Sequence, residues 1–193
     1  MTRIDPRKQK SREKLHEAYL ILKVKGLDHF TIQHLCDEAH VTRPTFYKLY
    51  KDIQQLRLEV HETVLKDLKA ALVIGNPKPL TELSSEELLR LLTTFFEHIK
   101  EKHYAYEAFF VSQPDALFIY GVKEIVGQYV LEGVHYIKNQ NRTFRVDTRF
   151  FKAYLTGAYL EMILFWINDN YEKSPREMAK DLFEISFYGP YLN

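Results

Sequence analysis

Cysteine is nearly absent. The one thiol, Cys36, excludes an internal disulfide framework and suits a reducing compartment such as the cytoplasm. Glycine is scarce too, with 7 in 193 residues, which argues against a turn-rich all-β chain. No run of about 18 or more uncharged apolar residues occurs, so no membrane span is expected. The opening stretch "MTRIDPRKQKSREK" lacks the apolar core of a signal peptide. Catalytic signatures are missing as well. No Ser-His-Asp order and no phosphate-binding loop can be found, so no enzyme is expected. The eight histidines do not fall at ligand spacing: His98 and His103 are five apart, and Cys36 and His34 belong to different faces of one short helix. Neither a metal nor a cofactor is called for.

Net charge is only +1, but it is unevenly distributed. Residues 1–57 hold 12 Lys/Arg against 7 Asp/Glu, while residues 58–193 hold 15 against 19. A basic end on a near-neutral chain is a reason to consider nucleic acid, although a charge run is also what a solvated face looks like.

Helix punctuation runs along the whole chain. Asp5-Pro6 reads as an N-cap with proline in the first turn, opening a helix that ends at Gly26. Thr31 caps a short second helix with Ile32, Leu35, Cys36 and Ala39 inward. Thr42 caps a third, with Pro44 in its first turn and Phe46 and Leu49 inward; Tyr50 suits either face. Asp52, with Gln55 as capping-box partner, opens a fourth that is broken at Gly75–Pro79. Ser84 with Glu87 opens a fifth through about His103, and Tyr104–Ser112 forms a short aromatic helix. Pro114-Asp115 opens another to about Asn141. Asp147 or Thr148 starts a very apolar helix, and Ser174-Pro175-Arg176-Glu177 starts the last. The expected fold is all-α with about nine helices. The expected division is a helix-turn-helix domain over 1–51 and a larger helical domain over 52–193, with the helix over about 52–75 as connector.

The second and third helices have the grammar of a helix-turn-helix, whose second helix enters the major groove. A plain three-helix subdomain with a polar face fits the same periodicity. The stretch "FTIQHLCDEAHVTRPTFYKLYKDIQQL" goes further. Its Thr31-Ile32, Leu35, Ala39, Val41-Thr42, Thr45-Phe46-Tyr47, Tyr50, Lys51 and Leu56 resemble the DNA-binding signature of TetR-type (TetR/AcrR) transcriptional regulators. Two positions depart from the pattern: His40 stands where glycine is frequent in the turn, and Pro44 where a small residue is common.

The resemblance implies a ligand-responsive regulator of transcription, most often a repressor released from a palindromic double-stranded operator by a small-molecule effector. A coactivator or adaptor working through a protein partner is the alternative. Position by position, Thr31 and Thr42 are implied to meet phosphates, Arg43, Pro44, Thr45 and Lys48 to face the major groove, and Tyr47 and Lys51 to clamp the backbone.

The resemblance also implies that the larger domain holds a ligand pocket and forms a homodimer. Its aromatic supply offers Phe95, His98, Tyr104, Phe109, Phe118, Tyr129 and Trp166 as pocket candidates, side chains that serve equally as ordinary core. Near the C-terminus "GAYLEMILFWI" is apolar nearly all round, so it needs cover on several faces. Tyr159, Leu160, Ile163, Leu164 and Ile167, with Leu182 and Phe183 of the last helix, are the candidate dimer residues, burial in the protomer being the other account of them.

Overall fold

The computed structural model describes residues 5–27, 29–73, 84–139 and 146–189, with the side chains of 73 and 133–139 left aside. The expected break at Gly75–Pro79 lies outside these residues. Among the described residues there are nine α-helices and no strand: α1 Pro6–Val24, α2 Ile32–Ala39, α3 Arg43–Tyr47, α4 Ile53–Val73, α5 Ser85–Glu101, α6 His103–Tyr106, α7 Ala116–Asn139, α8 Thr148–Asn168 and α9 Pro175–Tyr188.

Local signals set most helix starts. The side chains of Asp5, Thr31, Thr42, Ser84, Asp147 and Ser174 each accept from an amide in the following turn, satisfying donors that a helix N-terminus leaves open. Ser84–Glu87 and Ser174–Glu177 close full capping boxes. The Asp52 pattern closes differently. Asp52 Oδ1 accepts from the Gln55 amide at 2.8 Å, but Gln55 Oε1 reaches back to the amide of Lys51. The aromatic helix is also not α-helical throughout. After Tyr106 it widens into a π-helix over Glu107–Ser112, a change that no periodicity in "EAFFVS" announces.

Two compact units result, dividing inside α4. The first comprises Met1–Val64 and Tyr104–Asp115. Its core is Leu15, Tyr19 and Leu22 of α1, Leu35 and Cys36 of α2, Phe46, Tyr50, and Leu56 and Val60 of α4, all nearly inaccessible. The segment 104–115 completes it. Asp115 pairs with Arg57 Nε at 2.9 Å and His61 Nε2 at 3.3 Å, and Phe109 meets the His61 ring edge-on at 4.5 Å. Lys23 of α1 donates to Gln113.

The second unit comprises Leu65–His103 and Ala116–Asn193. Here α5 packs on α9 and α7 on α8. Phe96 and Trp166 meet edge-to-face at 5.4 Å, and Trp166 Nε1 donates to the Lys173 carbonyl at 2.9 Å. A Cβ on Gly121 would lie 2.4 Å from Leu65 Cδ1, so α7 approaches this half of α4 through the missing side chain. By length and composition α8 alone among the described helices is apolar enough to cross a membrane. Its Ile163 and Trp166 are fully buried in the bundle, within an apolar window of which 28% is buried.

His40 adopts φ 51° and ψ 45°, the left-handed conformation. Its amide donates to the Asp37 carbonyl at 3.2 Å and the Val41 amide to the Cys36 carbonyl at 2.9 Å, a Schellman closure of α2. The turn therefore needs what glycine supplies without strain, and histidine bears the steric cost. Replacing His40 by glycine should leave thermal stability equal or slightly higher. Replacing it by valine should cost about 1–2 kcal/mol, read as a lower urea midpoint; a valine variant as stable as the glycine variant would contradict this.

Buried histidines make a second prediction. His98 is 7% exposed, and desolvation lowers its pKa from 6.5 to about 4, against the attraction of Asp67. Burial also lowers His16 and His61. The folded chain thus refuses protons that the unfolded chain accepts below pH 6.5. The stability conferred by a neutral His98 is fully present above that pH and is lost as pH falls toward 4. Between pH 7.5 and 5 this one group should account for on the order of 2 kcal/mol. Urea titrations at both pH values should show the loss, and His98→Gln should remove a large part of it.

Candidate nucleic-acid interface

The α2–turn–α3 unit is built to display α3. That helix has only five residues, and Phe46 is its one buried side chain. Thr42 Oγ1 accepts from the Thr45 amide at 3.4 Å and lies 2.9 Å from Thr45 Oγ1, so the two hydroxyls organise the first turn together. Pro44 sits where its missing N–H is not needed. Val41 is half-buried in the turn, and Tyr50, just past the helix, is 1% exposed. The phenol of Tyr50 therefore belongs to the core.

Outward, Thr31, Thr42, Arg43, Pro44, Lys48 and Lys51 are exposed, Tyr47 is 52% exposed, and Thr45 is half-buried. The eight expected contact residues thus lie on or beside the α2–α3 unit, seven of them open. Residues 40–51 contain three cations and no carboxylate. Among the described residues, Arg43, Lys48 and Lys51 make no ion pair. Helix starts at Thr31 and Thr42 add N–H groups and the positive end of the peptide dipoles. Hydroxyls, unpaired cations and helix N-termini on one surface suit a polyanion with regularly spaced phosphates. Along α1, Arg7, Lys8, Lys10 and Lys14 are exposed, whereas Arg12 is tied to Glu59.

The pocket candidates are divided between the two units. Phe95, Phe118 and Trp166 are fully buried in the second unit, and Tyr129 is half-buried there, its ring 6.1 Å from Tyr159. Burial raises the Tyr129 phenol well above its ordinary range, with Tyr159 and Glu132 adding to the effect. His98 lines an open cleft of about 360 Å³ between α4 and α5, with Asp67, Glu97, Glu101 and Lys102 on its rim. Tyr104 and Phe109 belong to the first unit, Tyr104 exposed and Phe109 buried.

The dimer candidates are placed mostly inside the protomer. Tyr159, Ile163, Ile167, Leu182 and Phe183 are buried, and Leu160 and Leu164 half-buried. The stripe left open on α8 is instead Phe150, Tyr154, Gly157 and Phe165, and on α9 it is Ile185 and Tyr188. Period alone cannot tell these faces apart on a helix apolar all round, because which stripe turns inward is decided by α5, α7 and α9.

The family comparison falls mostly on this second unit. Residues 86–188, more than half the chain, match the TetR transcriptional regulator C-terminal region. Comparison with curated proteins finds no match. Among solved structures, the chain is similar to the fatty acid degradation regulator FadR of Bacillus halodurans, at 12% identity and a TM-score of 0.75 over 100% of both chains. It is also similar to the transcriptional regulator FadR of Bacillus subtilis in complex with stearoyl-CoA, at 12% identity and a TM-score of 0.70 over 93% of this chain and 99% of that one. The dihydroxyacetone kinase operon activator DhaS matches at 15% identity and a TM-score of 0.61, over 91% and 93%. At these identities the likeness is one of fold, and it extends the match across the α2–α3 unit. The chain belongs to the TetR family of transcriptional regulators.

Proposed function

We propose that the protein is a ligand-responsive, DNA-binding repressor that acts in the cytoplasm as a homodimer on a palindromic operator. The acid-free cationic surface of α3 is the observation that carries this reading. Arg43, Pro44, Thr45 and Lys48 face the major groove; Thr31, Thr42, Tyr47 and Lys51 hold phosphates. A two-fold dimer presents two such helices to two half-sites. The open aromatic stripe on α8 and α9 is the surface such a dimer covers, and Gly157, where an added Cβ would meet nothing within 4 Å, leaves room for a second helix to come close.

Release follows from the path of the chain. The backbone leaves the second unit after His103, enters the first for residues 104–115, and returns at Ala116. An effector that shifts the ends of α5 and α7 pulls on that segment, which Asp115 locks to Arg57 and His61. Effector and DNA then oppose each other by equal factors. A second reading is action through a protein partner, which fits rings such as Phe95, Phe96 and Trp166 that pack on one another as core. A small molecule that displaces DNA from the purified chain decides for the first reading. A stoichiometric protein required for DNA binding decides for the second.

Selection from a random duplex library, followed by anisotropy at several salt concentrations, tests DNA binding directly. Lys48→Ala or Lys51→Ala should lower the salt slope by about one, and Arg43→Ala should weaken the selected duplex by roughly 1–3 kcal/mol more than a scrambled one. Salt-insensitive binding, or no selected sequence at all, rules the reading out. The dimer has its own check. Gly157→Arg or Phe165→Glu should convert the chain to monomer by light scattering, while Leu160→Ala, on the half-buried flank, should leave the dimer. A wild-type monomer at tens of micromolar, on the order expected for a weak interface, contradicts it.

A further inference from the structure

The far end of α3 is tied to α1. Phe46 closes the short helix: its carbonyl accepts from the amide of Leu49 at 2.9 Å and from that of Tyr50 at 2.8 Å. The Tyr50 backbone therefore moves with α3. Its ring is 1% exposed and packs on Phe46, with ring centroids 5.8 Å apart. At the tip of that ring the hydroxyl lies 2.9 Å from Nε2 of His16, 34 residues earlier on α1. Arg12, one turn before His16, lies over the same ring at 5.7 Å and is paired with Glu59 of α4. Glu59 Oε1 stands 3.7 Å from the His16 nitrogen, beyond hydrogen-bond reach. The imidazole is thus the polar partner that holds the phenol.

Helix α1 is a firm reference for such a tie. It has 19 residues against five in α3, and its Leu15, Ala18, Tyr19 and Leu22 are buried in the core. His16 directly follows Leu15, and its side chain is 17% exposed. A five-residue helix cannot define its own axis. The Schellman closure of α2 and the Thr42 cap fix where α3 begins. Tyr50 sets where its other end lies. Packing on Phe46 keeps the Tyr50 ring buried, but apolar contacts have little directionality. The hydrogen bond to His16 has direction, and it holds the phenol tip at one point of α1.

On the reading that α3 binds DNA, we infer that His16 is a positioning residue for sequence recognition: through its hydrogen bond to the Tyr50 hydroxyl it sets the aim of α3 from α1. Base-edge hydrogen bonds require placement within about half an ångström, whereas phosphate contacts by long lysine side chains adjust. Loss of the tie therefore lowers discrimination and spares non-specific binding.

The experiment uses the full chain with two probes: the duplex the wild type selects from a random library, and a scrambled duplex of equal length. Tyr50→Phe deletes only the hydroxyl. His16→Leu removes the imidazole at similar volume, and His16→Gln keeps an amide able to bond the phenol. Tyr50→Phe and His16→Leu should each weaken the selected duplex roughly tenfold and leave the scrambled duplex within about twofold at an unchanged salt slope. The double variant should be little worse than either single one, since both act through one hydrogen bond. His16→Gln should recover most of the loss. In the free protein, hydrogen exchange at the Leu49 and Tyr50 amides should quicken in Tyr50→Phe while the amides of α1 stay protected. Equal selected-to-scrambled ratios in variants and wild type overturn the inference. So does a parallel loss on both duplexes with faster exchange throughout the first unit, which marks a role in folding alone. A wild type with no preferred duplex refutes the DNA-binding reading and this inference with it, and that result appears before any variant is made.

Discussion

The recognition surface depends on a helix too short to stand alone. Five residues close barely one turn, and nucleating a turn is unfavourable in water. Everything that makes α3 usable comes from outside it: the Schellman closure of α2, the Thr42 cap, the buried Phe46, and Tyr50 held just beyond its end. This leaves the exposed side of α3 almost free of packing duties. A longer helix would spend residues on its own packing. Here one aromatic packs, a second anchors, and the hydroxyls and cations between them are left to solvent.

The legible parts of the fold were those written locally. Caps and capping boxes name their helix starts within four residues, so Asp5, Thr31, Thr42, Ser84, Asp147 and Ser174 mark them directly. The α2–α3 unit was legible for the same reason, and His40 stood out because a turn that takes glycine took something else. Its left-handed backbone shows the turn keeping its shape and the residue adapting. The α8–α9 corner does likewise, with Asn170 and Tyr171 at φ 51° and 56°. What could not be read is what distance in sequence hides. Arg12 meets Glu59 across 47 residues, His16 meets Tyr50 across 34, and Arg57 meets Asp115 across 58. No pattern within one helix encodes a meeting of three.

The apolar C-terminal helices show a different limit. Hydropathy marks α8 as needing cover on more than one side, and that is true of it. One side is covered by the protomer, through Thr156, Tyr159, Ile163, Trp166 and Ile167. The other carries Phe150 and Tyr154, 67% and 63% exposed. The stripe that the sequence offers to a partner includes Tyr159, Ile163 and Ile167, which the protomer itself buries. The rotation of α8 in the bundle places Trp166 edge-on against Phe96.

Placing residues 104–115 in the first unit has a further consequence. Those twelve residues interrupt a run of chain that otherwise belongs to the second unit, and both their ends are covalently continuous with it. The π-helix has an extra residue in its turn, and converting it to α-helical pitch changes the length and rotation of the segment. Asp115, gripped by Arg57 and His61, resists that change at one end, and Lys23 on Gln113 resists it beside it. The segment therefore acts on α1 and α4, the two helices that also hold Arg12, His16 and Glu59.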